Sequence, residues 1–243
     1  MRTILYLTDN TLDRKISAKC KKNLLKQAGD IPIVSVSQTP IKFGKNICVG
    51  KIGRSWLSLY KQLYAGLKEV KTKYVVICEH DCLYEKEHLN FIPPKDDVFY
   101  YNRNEWLLQW GGNHPELNGM YSYWANRYCL SQLVCSRDLF LNWVENILLI
   151  LGENFNKQLM HAEPAISSER ELNIVRRRAR DGKASYLHTY LKDFLEKYKK
   201  ETFKTKVPII DIRHSSNFTG PRRGGKRRYE LDYWGNGKEI CQA

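Results

Sequence analysis

Two carboxylates two residues apart, Glu79 and Asp81, follow directly on the apolar run Tyr74-Val75-Val76-Ile77-Cys78, with His80 between them. Side chains at i and i+2 of an extended backbone point the same way. Such a pair can hold a hard divalent ion, and that ion can bridge a diphosphate and neutralise it as it leaves. An acidic turn exposed to water at a strand end has the same sequence, so the surroundings of the pair decide its weight. Zinc is the competing metal, because Cys78, His80, Cys82 and His88 fall close together. It is the weaker reading: Cys78 lies inside the apolar run, and no second Cys-x-x-Cys or His-x-x-x-His partner exists. A second chemical feature lies near the end of the sequence. Arg222-Arg223-Gly224-Gly225-Lys226-Arg227-Arg228-Tyr229, followed by Tyr233-Trp234-Gly235, mixes cations, flexible glycines and stacking aromatics. That mixture suits a phosphate backbone with bases nearby, and it also suits a lid closing over a diphosphate.

The elements that must position these groups follow from hydrophobic period and end signals. Ile4-Leu5-Tyr6-Leu7 reads as a buried strand running into the polar loop Thr8-Asp9-Asn10. Thr11 to Ala28 reads as a helix with Ile16, Cys20, Leu24 and Ala28 on one face and Gly29 as its stop. Ile31–Val36 is the next strand, and Pro40 to Gly53 reads as a loop. Ser55 caps a helix carrying Leu57, Tyr60, Tyr64 and Leu67 at helical spacing, ahead of the Tyr74–Cys78 strand. This alternation predicts a mostly parallel sheet with helices on its faces. Ligands of such sheets gather outside the carboxyl ends of the strands, which is where Glu79 and Asp81 stand. Beyond them, Val98–Tyr101, Tyr128–Val134 and Val207–Ile212 read as strands, the last of these closing the series. Ser136 to Leu151 reads as a long helix, Ser168 and Glu171 form a capping box, and Ser185 to Phe203 reads as an amphipathic helix.

The chain has 243 residues, with 42% hydrophobic and 12% aromatic side chains, enough for a real core and too much for a disordered chain. Its net charge is +14, and residues 170–243 carry 19 basic against 9 acidic side chains. That excess suits a polyanionic partner, nucleic acid or an anionic membrane surface, with an ordinary solvated basic face as the equal alternative. Seven cysteines at irregular spacing predict free thiols in a reducing compartment. With no signal peptide visible and no apolar run longer than Ile147–Leu151, the sequence predicts a soluble cytoplasmic protein. The expected division is a nucleotide-binding core over residues 1–165 and a basic C-terminal segment over 166–243.

The span from Gly53 to Leu67, leading into the apolar strand and Glu79-His80-Asp81, resembles the helix–strand–DxD stretch of glycosyltransferases with the GT-A fold, especially family two. Lys61-Gln62 sits where that family carries Arg-Asn, and Ala65-Gly66-Leu67 resembles the end of its helix. Glu79 stands in place of the first Asp, and His80 stands between the acids. The resemblance implies a metal-dependent transfer of sugar from a UDP-sugar on a GT-A-like (Rossmann-like) sheet, with Mn²⁺ or Mg²⁺. It implies Thr8, Asp9, Asn10 and Gln38 at the nucleobase and ribose, where polar side chains at strand ends can bond base edges and hydroxyls. Ser55, Lys61 and Arg213 are expected on the donor. A late histidine often completes such a site, which implies His214 beside Glu79 and Asp81 as metal ligands, with Asp81 essential for catalysis. An inverting transfer needs a carboxylate base. Glu163, Glu169 and Glu171 are the candidates; Glu171 has a capping explanation, and Glu163 has none, so Glu163 is the expected base.

For the acceptor, the late basic and aromatic segment favours DNA, held by Arg222, Arg223, Lys226, Arg227 and Arg228. A sugar can be added to a DNA base only at a hydroxyl, so the acceptor would be a hydroxymethylated pyrimidine, flipped out of the stack. Enzymes of that kind belong to viruses of bacteria, which sets the expectation of a phage source. A cell-surface or lipid-linked glycan is the competing acceptor, and a non-catalytic nucleic-acid-binding protein is the competing class.

Overall fold

The computed structural model describes residues 1–111, 115–123, 125, 127–151, 164, 196–217 and 225–242. The mostly parallel mixed sheet predicted from the sequence is present. Strands β1 (Arg2–Leu7), β2 (Ile33–Ser37), β3 (Lys45–Cys48) and β4 (Tyr74–Glu79) lie side by side and parallel, in the order β4-β1-β2-β3. After β5 (Cys82–Leu83) the chain makes β6 (Val98–Asn102), β7 (Glu105–Gln109), β8 (Tyr121–Tyr123) and β9 (Leu133–Ser136). β9 runs antiparallel between β4 and β6, and β10 (Lys199–Phe203) extends the sheet beyond β6, giving seven strands. A second sheet contains β5, β7, β8, β11 (Ile209–Arg213) and β12 (Lys226–Arg228), in the order β12-β8-β7-β11-β5. A short hairpin, β13 (Glu230–Leu231) and β14 (Gly235–Asn236), follows.

Five helices accompany these strands among the described residues: α1 (Arg14–Ala28), α2 (Trp56–Glu69), α3 (Lys86–Asn90), α4 (Arg137–Leu151) and α5 (Gly237–Gln242). The two-residue period of the strands sorts the core into two faces. Leu5 and Leu7 of β1 and Val75 and Ile77 of β4 meet Tyr60, Leu63 and Leu67 of α2 and Trp143 of α4. Ile4 and Tyr6, with Val76 and Cys78, meet Leu24 and Ala28 of α1 on the other side. Gly66 lets α2 come close. A Cβ there would stand 2.7 Å from Val36 Cγ2 and nearer still to Leu5 Cδ1.

Four elements differ from the sequence expectation. The stretch Pro40 to Gly53 contains β3, an edge strand of Lys45, Asn46, Ile47 and Cys48 without apolar alternation. It is held by its pairing with β2 and by Asn46 Nδ2, which donates to Ser35 Oγ (3.0 Å) and Ser37 Oγ (2.9 Å). Tyr128–Val134 is not one strand: a single 3₁₀ turn occupies Leu130–Gln132, and β9 begins only at Leu133. The helix expected to reach Phe203 gives way to β10, because Lys199–Phe203 finds a free partner edge in β6; residues 185–195 lie outside the described residues. The Val207–Ile212 strand does not close the series, since three short strands follow β11. The capping box at Ser168 and Glu171 lies outside the described residues. No helix of the described residues is long and apolar enough to cross a membrane.

Candidate functional site

Because β1, β2 and β4 are parallel, their carboxyl ends open on one edge, and the polar residues after each strand collect there. Thr8 and Asp9 follow β1, Gln38 follows β2, and Glu79, His80 and Asp81 stand at the end of β4. All six line one open cleft. The far wall comes from β11 and its continuation: Asp211, Arg213, His214, Ser216 and Asn217. Two contacts lock β11 against the β4 turn. β11 pairs antiparallel with β5, and the Ile212 N–H donates to the Asp81 carbonyl at 2.8 Å. Residues 130 positions apart in sequence therefore share one site.

At its centre His214 Nε2 lies 3.4 Å from Asp81 Oδ2, which also accepts from Asn217 Nδ2 at 3.0 Å. One ligand-competent atom each from His80, Asp81 and His214 lies within 4.8 Å of the others. A second such group comprises Asp81, Cys82 and Asp211. Burial by itself raises an acid, but the His214 hydrogen bond and the charges of His80, His214 and Arg213 outweigh it. They hold the Asp81 carboxyl well below the usual carboxylate range. Burial also pushes the His80 imidazole down, against the pull of Asp81 and Asp9. A depressed imidazole is neutral at pH 7, the form in which histidine binds metals, and its charge bears on Asp81 only in the acid range.

The opposite lip is built by the loop that leads into α2. Arg54 Nε donates to Asp9 Oδ2 at 2.5 Å, and Arg54 Nη2 donates to the Ser216 carbonyl. One guanidinium thus ties the β1 end to the segment after β11. Ser55 caps α2 by accepting from the Ser58 N–H at 3.1 Å, so the positive end of the helix dipole opens on the cleft. Helix N-termini of this kind are suited to phosphate. Gln62 Nε2 reaches in from α2 and donates to the Thr8 carbonyl at 2.8 Å.

Beneath the cleft lies a buried ionic relay. Arg127 bridges Glu105 of β7 and Asp211 of β11 through its two terminal nitrogens. Glu105 also accepts from Ser131 Oγ at 2.7 Å and from the Cys129 thiol. Burial raises the Glu105 carboxyl, while Arg127 opposes the rise.

Neither a protein-family model nor a curated protein matches the chain. Solved structures do resemble it in fold. The glycosyltransferase GlyE of Streptococcus pneumoniae TIGR4 is 11% identical, with 100% of this chain and 60% of that one covered and a TM-score of 0.47. S. aureus TarS 1-349 in complex with UDP-GlcNAc is 11% identical, with 93% and 59% covered and a TM-score of 0.41. The bifunctional IspDF from Campylobacter jejuni is 10% identical, with 84% and 50% covered and a TM-score of 0.39. The chain spans half to three-fifths of the length of these proteins. At such identities and TM-scores the likenesses assign no activity.

The cleft brings together Thr8, Asp9, Gln38, Ser55, Glu79, Asp81, Arg213 and His214. Three expected residues stand differently. Asn10, at a φ of 64°, turns its Oδ1 to the N–H groups of Gln38 (2.7 Å) and Thr39 (2.9 Å), bracing β1 against β2 from outside the cleft. Lys61 lies one helix position from Gln62 and borders a separate hollow under residues 52–61. Glu79 lines the cleft, yet belongs to neither metal-competent group. β4 ends at Glu79, and the turn that follows breaks the extended backbone on which an i, i+2 pair depends. Of the zinc set, Cys78 and His88 belong to neither group. Lys226, Arg227 and Arg228 are exposed on β12, with the Arg228 guanidinium 5.8 Å from the Trp106 ring centre. Glu163, Arg222 and Arg223 lie outside the described residues. Arg54, Gln62, Arg127, Asp211 and Asn217 line the cleft without a sequence motif to mark them, and His80, a member of the weaker zinc set, belongs to the Asp81–His214 group. Gln62 adjoins Lys61, and Asp211 lies two residues before Arg213.

Proposed function

We propose that the protein is a metal-dependent glycosyltransferase of GT-A-like architecture that transfers sugar from a UDP-sugar to a hydroxyl acceptor. The observation that carries this reading is the Asp81–His214 pairing at the joined ends of β4 and β11, facing polar strand ends across one cleft. The donor set fits a divalent ion: a carboxylate kept ionised, with two imidazoles within reach. Imidazole ligands favour Mn²⁺ over Mg²⁺, which prefers oxygen alone. Asp81, His214 and His80 would hold it, and the ion would neutralise a leaving diphosphate.

The other roles fall to the chain's own groups. Thr8, Asp9 and Gln38 at the strand ends bind base and ribose. Arg213, the α2 N-terminus at Ser55 and Arg54 bind the phosphates. Glu163 takes the proton of the acceptor hydroxyl. The basic segment after residue 166 completes the site and binds the acceptor, and the protein works in a cytoplasm.

For the acceptor we favour a hydroxymethylated pyrimidine in DNA, as in a phage. Besides Lys226, Arg227 and Arg228, helix α1 supports a polyanion. It carries Arg14, Lys15, Lys19, Lys21, Lys22 and Lys26 and no acid. Lys15, Lys19, Lys22 and Lys26 recur at i, i+4, i+7 and i+11, on one face. Like charges at that spacing destabilise a helix, and two cations in its first turn oppose the dipole. Among the described residues, none of the six forms a salt bridge with a carboxylate. Lys19 Nζ already donates to the Ile240 carbonyl at 2.6 Å, and phosphates along Lys15, Lys22 and Lys26 would relieve the remaining repulsion. The helix begins just past Thr8 and Asp9, so a polymer lying on it is led toward the cleft.

The test offers labelled UDP-sugars with hydroxymethylated duplex DNA, unmodified DNA and lipid-linked glycans. Label in hydroxymethylated DNA, lost steeply as salt rises, supports the full reading. Label in the glycan alone removes the DNA acceptor and leaves the transferase. Label in neither, with DNA bound, removes the transferase and leaves a nucleic-acid-binding protein.

A further inference from the structure

We propose that Asp211 is the second carboxylate of the cation site, so that an ion held by Asp81 also draws on the free oxygen of Asp211. The inference rests on reading the cleft as a divalent-cation site. Asp211 is 3% exposed and stands in register opposite Cys82, next in sequence to Asp81. Its Oδ2 is fixed: it accepts from Arg127 Nη2 and faces Arg213 Nη1 at 3.6 Å. Its Oδ1 is buried and has no hydrogen-bond partner, the only carboxylate oxygen in that condition among the described residues. A buried acceptor without a partner is costly, and native structures usually answer it with a water or an ion.

Three further observations point to an ion. Ligand atoms of Asp81, Cys82 and Asp211 lie within 4.8 Å of one another, as do those of His80, Asp81 and His214. Asp81 belongs to both groups while His214 and Asp211 share none, so an ion reaches Asp211 through the Asp81 carboxylate. The charge of the neighbourhood is also unbalanced. Asp9, Glu79, Asp81 and Asp211 line the cleft against Arg54, Arg127 and Arg213, one carboxylate more than guanidiniums. Finally, the arginines prevent the Asp211 carboxylate from rotating, which keeps Oδ1 presented. A carboxylate pre-set by outer partners is how metal sites hold their ligands in place. Glu79, the acid that sequence spacing favoured, belongs to neither group.

The experiment measures Mn²⁺ binding to the full chain at pH 7 from the free-ion electron paramagnetic resonance signal. Wild type, Asp211→Asn and Glu79→Gln are compared, each checked for fold by circular dichroism. Asp211→Asn is expected to weaken Mn²⁺ binding about tenfold or more, and Glu79→Gln to leave it within about twofold, a difference of under 0.5 kcal/mol. If Asp211→Asn does not fold, Asp211→Glu serves: it keeps the charge for the arginines, moves Oδ1 by one methylene, and should weaken binding likewise. Unchanged affinity in the folded Asp211 variant, or an equal loss in Glu79→Gln, overturns the proposal. Absence of Mn²⁺ binding in the wild type overturns the cation reading of the cleft itself, and this proposal with it.

Discussion

Asp9 and Arg54, 45 positions apart, meet through a 2.5 Å hydrogen bond that closes one lip of the cleft. The same guanidinium reaches the Ser216 carbonyl beyond β11, so Arg54 spans the β1 end and the segment that carries His214. Arg54→Ala should raise KM for the donor by about tenfold, the loss of one charged hydrogen bond, with little change in thermal stability. Steady-state kinetics with a saturating acceptor measures it. An unchanged KM would mean that Arg54 only decorates the lip.

Arg127 neutralises two buried acids, so removing it leaves both uncompensated. Arg127→Met should destabilise the fold by about 3–5 kcal/mol at pH 7. The pH dependence follows from Glu105. Its folded-state carboxyl is raised by burial, and without Arg127 it is raised further. A group whose folded value exceeds its unfolded one stabilises the fold as it takes up a proton, so the deficit should shrink as pH falls toward 5. Urea melts of wild type and variant at pH 7 and pH 5 read this directly. A deficit that grows on acidification contradicts the relay.

His88 is fully buried, stacked between Tyr84 and Phe203, and burial lowers its value to about 3. The folded state therefore refuses a proton that the unfolded chain accepts near pH 6.5. Stability supplied by neutral His88 is complete above pH 6.5 and is lost as pH falls toward 3, at up to about 1.4 kcal/mol per unit. His88→Phe should flatten that slope between pH 6 and pH 4. An identical slope in the variant would place the acid sensitivity elsewhere.

Much of this architecture is legible in the sequence. The apolar runs of β1 and β4 are buried on both faces and stand out whatever the surroundings, β2 shows its β-branched residues between buried serines, and Ser55 caps α2 as expected. β3 and β10 were missed because both are short edge strands made of polar residues, which take their form from the neighbouring strand rather than from their own pattern. At the site, Asp81 and His214 were legible as types and as strand-end positions. Asp211 and Arg127 were not, because their meaning arises from a pairing across 84 positions. Glu79 lines the cleft but stands outside both metal-competent groups, since the i, i+2 rule holds within a strand and β4 ends there.

Gly66 marks the closest approach of α2 to the sheet. Gly66→Ala gains about 1 kcal/mol of helix propensity but drives a methyl group into Leu5 and Val36. The net result should be a loss of about 1–3 kcal/mol, visible as a lower urea midpoint at unchanged slope. A stabilised variant would show that the helix can shift outward freely.

On α1, Lys22→Glu should separate two effects. It replaces a repulsion with an i, i+4 attraction to Lys26, stabilising the helix by about 0.2–0.5 kcal/mol. It should also weaken duplex DNA binding and lower the slope of log affinity against log salt by about 1 to 2. Fluorescence anisotropy over a salt series measures it. Unchanged DNA affinity would make the ladder a solvated face.

The central claim is tested most directly by release of UDP from a panel of UDP-sugars, with Mn²⁺ and with EDTA, for wild type and Asp81→Ala. The account predicts that the wild type releases UDP from at least one donor with Mn²⁺ and not with EDTA, and that folded Asp81→Ala releases none. An undiminished rate in EDTA, or full activity in Asp81→Ala, would contradict it.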